Sequence, residues 1–477
     1  MGEPSGLPRL EQALRRHFGF ATFQGCQAEV IAHLLDGGHA LLIAPTGSGK
    51  SLCYQLPAVT AAPGDLVLVL SPLIALMQDQ VDSLRGRGID ATFINSSLSR
   101  KDRLERYAAI ARGDFAILYV TPERFRKEAF CEAIATRRVR LLAVDEAHCV
   151  SEWGHDFRPD YTRLAEIRER LGRPPTLALT ATATPACQRD IIAQLGLDSS
   201  QVRRFHEGID RPNLQIDVRE VWGDSDKWEW IERTLADRDY ADGSVIIYFS
   251  LIKTLEAFSE RLRTACKAHL CYHGDLPRQQ RRQIQQAFMS DEASLVLATN
   301  AFGMGIDKRD IRVIMHAETP GSVESFYQEI GRAGRDGRPS LCRWLYDQAD
   351  LMTQMQFIAW RNPDAAYYSA LHHYLSERGE QCRAFGLDWL NARLQRLSRH
   401  DHRLATAIAM LDRYGVVAGP RPPACFELRR PLDRRFLDDT ELGEKKLRDQ
   451  KRLQALVGLA RETGDRQAYL NRYFLAE

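Results

Sequence analysis

The chain has 477 residues, too many for one hydrophobic core, so we expect roughly two to four domains. Its 44% hydrophobic and 27% charged residues are typical of a globular protein. The sequence contains no apolar run of about 18 residues and no leader pattern. These features argue against a membrane-spanning protein and lead us to expect a cytoplasmic one.

Charge and cysteine content say little about partners. The net charge is +2, but residues 391–477 hold 18 Lys and Arg against 12 Asp and Glu, which leaves −4 for residues 1–390. A basic C-terminal region can face nucleic acid or can be a solvated helical surface. The ten cysteines are scattered and form no C-x-x-C pair, so we expect reduced thiols and no zinc site.

Two series of apolar runs, each alternating with helix-forming sequence, follow one another along the chain. The runs lie at 66–70, 116–120, 140–144 and 176–179, and then at 245–249, 268–272, 295–298 and 313–316. Continuous apolar strands separated by helices predict parallel sheets covered by helices. We therefore predict an α/β protein with two sheet lobes, at residues 1–207 and 208–348.

Residues 349–477 depart from that pattern and are predicted to be mainly helical. The stretch 404–419 predicts an amphipathic helix that ends in a glycine turn and a short strand, as in a winged-helix module. A plain helical bundle is the alternative interpretation of this region.

The first chemical motif is APTGSGKS, residues 44–51, directly after the apolar run 41–43. In a G-x-x-x-x-G-K-[ST] loop the backbone N–H groups surround phosphate, the lysine reaches the outer phosphates, and the hydroxyl binds Mg²⁺. Ala44 replaces the first glycine of the pattern. The residues predicted to bind the nucleotide are Thr46, Gly47, Ser48, Gly49, Lys50 and Ser51.

The second motif is LLAVDEAH, residues 141–148, in which an apolar strand ends in two carboxylates. At the carboxyl edge of a sheet they would lie beside the phosphate loop. Asp145 is placed to hold Mg²⁺ through its water shell, and Glu146 to orient and deprotonate an attacking water. This pair predicts that the nucleotide is hydrolysed rather than only bound.

The third motif is YQEIGRAGRDG, residues 327–337, in which Arg332 and Arg335 would share one face if the segment were helical. An arginine inserted from a second domain would stabilise the charge of the γ-phosphoryl group in the transition state. Hydrolysis would then be coupled to closure of the two domains. Surface arginines held in ion pairs are the alternative.

These motifs occur in one order, together with SPLIALMQDQV, TATAT and ATNAFGMGIDK, and resemble superfamily 2 helicases. The loop SEWGHDFRPDY (151–161) and the segment AFGMGIDK (301–308) narrow the resemblance to the RecQ family of DNA helicases, over about residues 10–350. The resemblance implies two RecA-like lobes, ATP with Mg²⁺, and 3′→5′ movement on single-stranded DNA. It further implies unwinding of forked or tailed duplex DNA in repair or recombination. We expect a monomer, associated with the nucleoid if the source is bacterial.

The same resemblance implies further site residues. Trp153 and Phe157 would stack on bases, with His155 and Arg158 close by to sense the DNA backbone or the nucleotide. Buried core aromatics are the alternative, but this loop is too polar for a core strand.

The segment FGFATFQGCQ (18–27) is similar to the family's adenine-reading motif, in which Gln27 would bond the adenine edge and Phe20 would pack near the base. Gln24 stands where the family has an arginine that stacks on the base, so we expect weaker adenine selectivity. The resemblance also implies that Gln328 is a catalytic residue and that Asp307 binds the nucleotide.

The C-terminal region departs from the family, most of whose members carry a four-cysteine zinc module after the lobes. In TGDRQAYLNRYFLAE (463–477), Asp465 stands at an expected cysteine position, and Cys382 and Cys425 are isolated. We therefore predict no zinc. Residues 350–460 resemble the arrangement of RecQ relatives that insert a winged-helix-like module before this segment.

Two other functions remain open on the sequence alone. A DNA-stimulated ATPase that translocates or clamps without separating strands would suit the missing zinc module and the lack of an identifiable wedge. An RNA helicase is the third interpretation, which the aromatic-rich loop disfavours.

Overall fold

Two parallel sheets, built from successive stretches of chain, form the framework of the protein. The computed structural model describes residues 7–151, 161, 163–240, 242–303, 306–397, 401–418 and 427–475. The predicted α/β class with two sheet lobes and a mainly helical C-terminal region is confirmed.

The first sheet has seven parallel strands in the order β3-β4-β2-β5-β6-β1-β7. Its strands are β1 His39–Ile43, β2 Asp65–Leu70, β3 Ala91–Ile94, β4 Ile117–Val120, β5 Arg138–Val144, β6 Thr176–Thr180 and β7 Val202–His206. The helices of this lobe are α1 Leu7–Phe18, α2 Gln27–Leu35, α3 Leu52–Val59, α4 Ile74–Gly86, α5 Arg100–Arg112, α6 Glu128–Ala135, α7 Leu164–Arg170 and α8 Pro185–Gln194. The central strands are mainly apolar, as expected of a sheet that helices cover on both faces, and their side chains belong to two separate buried clusters.

Strand order decides where the chemistry lies. Strands β5, β6 and β1 are neighbours, so the segments that follow them, beginning at residues 145, 181 and 44, emerge side by side at the carboxyl edge. Ligands of open α/β sheets bind at this edge. The phosphate loop and the two carboxylates are thereby brought together although about 100 residues separate them in sequence.

The second sheet has six parallel strands in the order β10-β11-β9-β12-β13-β8. Its strands are β8 Leu214–Glu220, β9 Ser244–Tyr248, β10 Leu270–Tyr272, β11 Leu295–Ala298, β12 Ile311–His316 and β13 Ser340–Tyr346. Its helices are α9 Gly223–Leu235, α10 Ile252–Thr264, α11 Arg278–Met289 and α12 Val323–Ile330. Residues 207–213 connect the two sheets.

Four strands of these sheets do not correspond to any of the apolar runs found in the sequence. Strands β3, β7 and β8 lie at sheet edges, where β7 alternates between buried and exposed residues. Strand β13 is nearly all buried but carries Arg343, whose Nε donates to Asp217 at 2.8 Å and whose guanidinium lies 4.9 Å from the Trp230 ring centroid. An ion pair and an aromatic neighbour make the charge tolerable there, which a hydropathy pattern does not show.

The C-terminal region divides into two parts with different cores. Its elements are α13 Asp350–Arg361, α14 Ala365–Glu377, α15 Gly379–Arg393 with an interruption at Gly386, α16 Arg403–Arg413, β14 Val417–Ala418, β15 Glu427–Leu428, α17 Asp439–Arg461 and α18 Arg466–Leu475. Helices α14–α16 and the antiparallel pair β14–β15 share one core. The winged-helix assignment of this part of the chain stays a prediction. The predicted helix, glycine turn and strand over 404–419 match α16, Gly415 with a φ of +66°, and β14.

Helices α17 and α18 belong instead to the core of the second lobe. Leu456, Leu459, Leu470 and Phe474 are buried in the same cluster as strands β9, β11 and β12. The ring centroids of Phe474 and Tyr327 lie 5.3 Å apart, so α18 packs directly on α12. Helix α18 therefore packs into the core of the second lobe, although the last strand of that lobe, β13, lies more than a hundred residues earlier in the sequence.

We predict that Phe474→Ala destabilises the protein by about 3–5 kcal/mol, the usual cost of deleting a buried phenylalanine ring. The matched control is Leu475→Ala, because the adjacent leucine is 44% exposed and its loss should cost less than about 0.5 kcal/mol. Urea unfolding of both variants measures the difference. Equal midpoints would contradict the role of α18 in the core of the second lobe.

Candidate active site

The phosphate loop turns from β1 into α3. Gly47 and Gly49 have φ values of +88° and +76°, a left-handed backbone that glycine adopts without strain. Lys50 Nζ donates to the carbonyls of Ala44 at 2.7 Å and Pro45 at 2.9 Å. The loop is therefore folded around the lysine ammonium, and its N–H groups lead into the start of a helix, where anions bind.

The two carboxylates follow β5 beside this loop. The backbone N–H of Glu146 donates to Asp145 Oδ1 at 3.0 Å, and Glu146 has a left-handed φ of 48°. That conformation costs a non-glycine residue on the order of 1–3 kcal/mol and is found most often at functional sites. His148 Nδ1 lies 3.4 Å from Glu146 Oε2 and 3.0 Å from Thr180 Oγ1, so the imidazole connects the carboxylate to the end of β6.

Burial sets the electrostatics of the site. Desolvation raises the pKa of the Asp145 carboxyl well above its usual range, the Glu146 charge raises it further, and the Lys50 charge opposes both. Desolvation likewise lowers the pKa of Lys50, against the effect of Glu146 and Asp145. A divalent cation would favour the ionised carboxylate, and the oxygen ligands that Ser51 and Asp145 offer suit Mg²⁺ held with a nucleotide.

The predicted base-binding residues lie at the same cleft. Gln27 Nε2 donates to the carbonyls of Ser48 at 3.2 Å and Gly49 at 3.3 Å, and its Oε1 accepts from the Gln24 backbone at 3.0 Å. A Cβ on Gly49 would lie 2.9 Å from that Nε2, so the glutamine amide rests on the phosphate loop. Phe20 lines the cleft and is half exposed. Their contact with adenine stays a prediction.

The second lobe supplies the opposite wall. Arg335 donates to Asp307 Oδ1 at 2.6 Å, and Arg332 donates to the carbonyl of Gly303. Helix α12 ends at Ile330, so the two arginines do not share a helix face and instead project from the turn that follows. Both nevertheless line the cleft, and a Cβ on Gly47 would lie 3.5 Å from Arg335 Cγ.

Two hydrogen bonds cross the cleft. Gln328 Nε2 donates to Thr182 Oγ1 at 3.1 Å, and Thr46 Oγ1 donates to the Gly331 carbonyl at 3.3 Å. The cleft between the lobes has a volume of about 580 Å³, within the range of small-molecule sites. All the predicted catalytic and nucleotide-binding residues lie in or against it, namely Phe20, Gln27, Thr46, Gly47, Ser48, Gly49, Lys50, Ser51, Asp145, Glu146, Asp307, Gln328, Arg332 and Arg335.

The sequence motifs assign no role to some of the lining residues. Leu76 and Gln80 lie in α4, Pro72 and Leu73 directly precede it, and Arg309 comes from the second lobe. The first four could have been found, because SPLIALMQDQV follows β2, the neighbour of β5. Arg309 directly follows the segment AFGMGIDK, so its position beside that motif could have indicated it.

The predicted DNA contacts Trp153, His155, Phe157 and Arg158 lie outside the described residues and stay predictions. The described chain ends before them at Ser151, whose Oγ donates to Asp190 Oδ2 at 2.5 Å.

Cys382 and Asp465, which are named in the prediction that the chain binds no zinc, make ordinary hydrogen bonds to the backbone. Cys382 donates from Sγ to the Tyr374 carbonyl at 3.5 Å, and Asp465 accepts from the Gln467 backbone at 2.8 Å at the start of α18. Cys425 lies outside the described residues. Over the described ranges, no group of three or more His, Cys, Asp or Glu side chains is arranged to hold a metal.

None of the helices in the described part of the chain is both long and apolar enough to span a membrane.

The two-lobe fold and the matching family models together define the class: a protein with the two helicase domains. Residues 24–190 match the DEAD/DEAH box helicase family, and residues 226–337 match the helicase conserved C-terminal domain. The solved structure of the Mycobacterium smegmatis helicase Lhr, bound to ssDNA and AMP-PNP, has a TM-score of 0.59 over 86% of this chain and 58% of its own. At 20% identity, that likeness concerns the fold.

Sequence relatives narrow the class. The chain is 40% identical to the probable ATP-dependent DNA helicase RecS of Bacillus subtilis, over 74% of this chain and 70% of the relative. It is 38% identical to the ATP-dependent DNA helicase RecQ of Haemophilus influenzae, over 78% of this chain and 59% of the relative. The chain belongs to the RecQ family of DNA helicases. It spans less than two thirds of the length of the Haemophilus protein.

Arg335→Ala should leave ATP binding within a few-fold of wild type and lower turnover about 10³- to 10⁵-fold, the value of an arginine that stabilises the transferring phosphoryl group. Arg338→Ala is the matched control, because this arginine is exposed and lies three residues further on. ATP binding by equilibrium titration and phosphate release by a coupled assay separate the two effects. Turnover retained in Arg335→Ala would contradict the assignment.

Glu146→Gln should preserve the shape of the side chain while removing its capacity to accept a proton. We expect turnover to fall about 10²- to 10⁴-fold and the protein to accumulate bound ATP rather than ADP. The measurement is the nucleotide content of protein recovered after incubation with Mg²⁺ and ATP. Recovery of mostly ADP would show that another group takes the proton.

Proposed function

We propose that this protein is an ATP-dependent DNA helicase that moves 3′→5′ along single-stranded DNA and separates duplex strands, in repair or recombination. The observation that carries the proposal is that both lobes build one nucleotide cleft, with hydrogen bonds from Thr46 to Gly331 and from Gln328 to Thr182 across it. A nucleotide in this cleft would set the distance between the lobes.

Hydrolysis would proceed from the residues on the two walls. Glu146 would orient a water and accept its proton as the water oxygen attacks the γ-phosphorus, and the bond to the β–γ bridging oxygen would break. Mg²⁺, held through Ser51 and Asp145, would neutralise charge on the phosphates. Lys50 would exchange its bonds to the Ala44 and Pro45 carbonyls for phosphate oxygens.

The second lobe would respond through its arginines. Arg335 is paired with Asp307 and lies over Gly47, so a γ-phosphate entering beside this loop competes directly with that carboxylate for the guanidinium. Closure on ATP and reopening after phosphate release would move one lobe relative to the other along the strand. Arg332 and Gln328 would act in the same closed state.

DNA is proposed as the partner because the named relatives are DNA helicases. Contacts to phosphates would make binding largely independent of sequence and sensitive to salt. Stacking by Trp153 and Phe157 would contribute about 1–3 kcal/mol per base. We further propose a monomer in the cytoplasm, associated with the nucleoid in a bacterium.

The decisive test compares two duplexes, one with a 3′ single-stranded tail and one with a 5′ tail, in the presence of Mg²⁺ and ATP. We expect separation of the 3′-tailed duplex alone, and no separation by Lys50→Ala, which removes the ammonium from the phosphate loop. Fluorescence of a labelled strand released on unwinding gives the rate.

Two outcomes would overturn the proposal in different ways. DNA-stimulated ATP hydrolysis without opening of either duplex would indicate a translocase or clamp. Stronger stimulation of the ATPase by RNA than by DNA would indicate an RNA helicase.

A further inference from the structure

The loop that precedes α2 is held by a carboxylate from the segment between the lobes. The backbone N–H of Cys26 donates to Glu207 Oε1 at 2.9 Å, and Cys26 Sγ donates to the same oxygen at 3.3 Å. Two donors from one residue on one oxygen, 181 residues away in sequence, make a specific tertiary contact.

The backbone of the loop is shaped to admit this carboxylate. Gly25 has a left-handed φ of +48°, and a Cβ at this position would lie 2.1 Å from Glu207 Oε1. No other residue type fits there without displacing the side chain of Glu207. Burial, and then the charge of Glu207, raise the pKa of the Cys26 thiol to about 12, so the thiol keeps the proton that it donates.

The contact continues to the phosphate loop through Gln27, the residue after Cys26. Gln27 accepts from the Gln24 backbone and donates to the Ser48 and Gly49 carbonyls, so its amide is oriented by the loop on one side and by the phosphate loop on the other. Cys26 is the N-cap residue of α2, where backbone N–H groups have no partner within the helix. Glu207 accepts the hydrogen bond from the Cys26 N–H.

Glu207 is also fixed at its own backbone. Its N–H donates to the carbonyl of Ile43, the last residue of β1, at 3.0 Å. Four residues further on, Arg211 donates to the carbonyls of Gly331 at 3.3 Å, Ala333 at 2.8 Å and Gly334 at 3.1 Å. The connecting segment is thus bonded to the base-binding loop at one end and to the turn of Arg332 and Arg335 at the other.

We infer that Glu207 is a positioning residue for the nucleotide base: it holds residues 24–27 in the conformation that presents Gln27 to the cleft, and it ties that loop to the connection between the lobes. This inference rests on nucleotide binding in the cleft, which is part of the proposed function. The glutamate would act through Cys26 and Gln27 and not by touching the nucleotide. Its removal should therefore weaken recognition of the base and leave the chemistry of the phosphates unchanged.

The test measures dissociation constants for ADP and GDP, with Mg²⁺ and without DNA, by competition against a fluorescent nucleotide. We expect Glu207→Ala to bind ADP roughly tenfold more weakly, which corresponds to a loss of about 1.4 kcal/mol of binding free energy. The dissociation constant for GDP should change less than twofold. Glu207→Gln keeps the accepting oxygen and should bind ADP as wild type does. With ATP as substrate, Glu207→Ala should raise KM by a similar factor and keep kcat within about twofold.

The matched control is Glu29→Ala, which removes an exposed carboxylate on α2 that pairs with Arg203 of β7 at 2.8 Å. It should leave both dissociation constants unchanged. Gly25→Ala displaces the carboxylate without removing it and should reproduce the selective loss of ADP binding, so the inference does not depend on the stability of one variant. Thermal unfolding of each variant without nucleotide checks its folding.

Wild-type ADP binding by Glu207→Ala, or equal losses for ADP and GDP, would overturn the inference, because a general disturbance of the lobe does not discriminate between bases. Failure of the proposed helicase function is distinguishable, since it would appear in strand separation and leave these DNA-free binding constants unaffected.

Discussion

The placement of one lysine and two carboxylates, all partly buried, just after strands β1 and β5 is the constraint on which the site depends. Strands β1 and β5 each pair with β6 in parallel, so Lys50, Asp145 and Glu146 follow them at the same edge of the sheet. Burial raises the pKa of Asp145 and lowers that of Lys50, so the protein holds both charges at a cost that they offset only in part. Magnesium and a polyphosphate would supply the missing opposite charges, and Lys50 would exchange its carbonyl partners for phosphate oxygens when they bind.

The contacts across the cleft are weak by comparison. The Thr46–Gly331 and Gln328–Thr182 hydrogen bonds join neutral groups, and each contributes on the order of 1 kcal/mol. Hydrogen bonds between guanidinium and phosphate are roughly twice as strong, and two arginines face the phosphate loop. In the proposed mechanism, contacts between the arginines and the nucleotide phosphates, rather than contacts between the lobes themselves, would therefore dominate the free energy of closure.

Much of this arrangement could be predicted from the sequence, because a glycine-rich loop with lysine and a pair of carboxylates, each after an apolar strand, is characteristic of nucleotide hydrolysis. Fold class and family follow from the order of the motifs. The edge strand β8 and the strand β13 around Arg343 escape prediction, since ion pairs and sheet position make polar residues acceptable there. The turn after α12 cannot be told from helix by spacing alone, which does not show where a helix ends.

Glu207 illustrates a second kind of limit. It stands in a polar segment without a motif, and only the packing of the chain brings it to Cys26. Tertiary contacts over such sequence distances leave no local pattern for a single sequence to reveal.

Part of the C-terminal region, helices α17 and α18, packs on α12 and belongs to the core of the second lobe. Glu324, in the first turn of α12, accepts from Tyr473 at 2.9 Å and lies 3.7 Å from Arg452, while Phe474 packs on Tyr327. Helices α17 and α18 therefore support the helix that bears Gln328 and leads into the arginine turn.

The module formed by α14–α16 and β14–β15, which lies between α13 and α17 in the chain, contacts the first lobe. Arg126 of the first lobe makes two hydrogen bonds to Asp412 of α16, at 2.6 and 3.3 Å, with both side chains less than a fifth exposed. A bidentate pair tolerates little change in distance or angle. Movement of the lobes must consequently break this pair or carry the module along, so the module is mechanically linked to the cleft in which ATP would act.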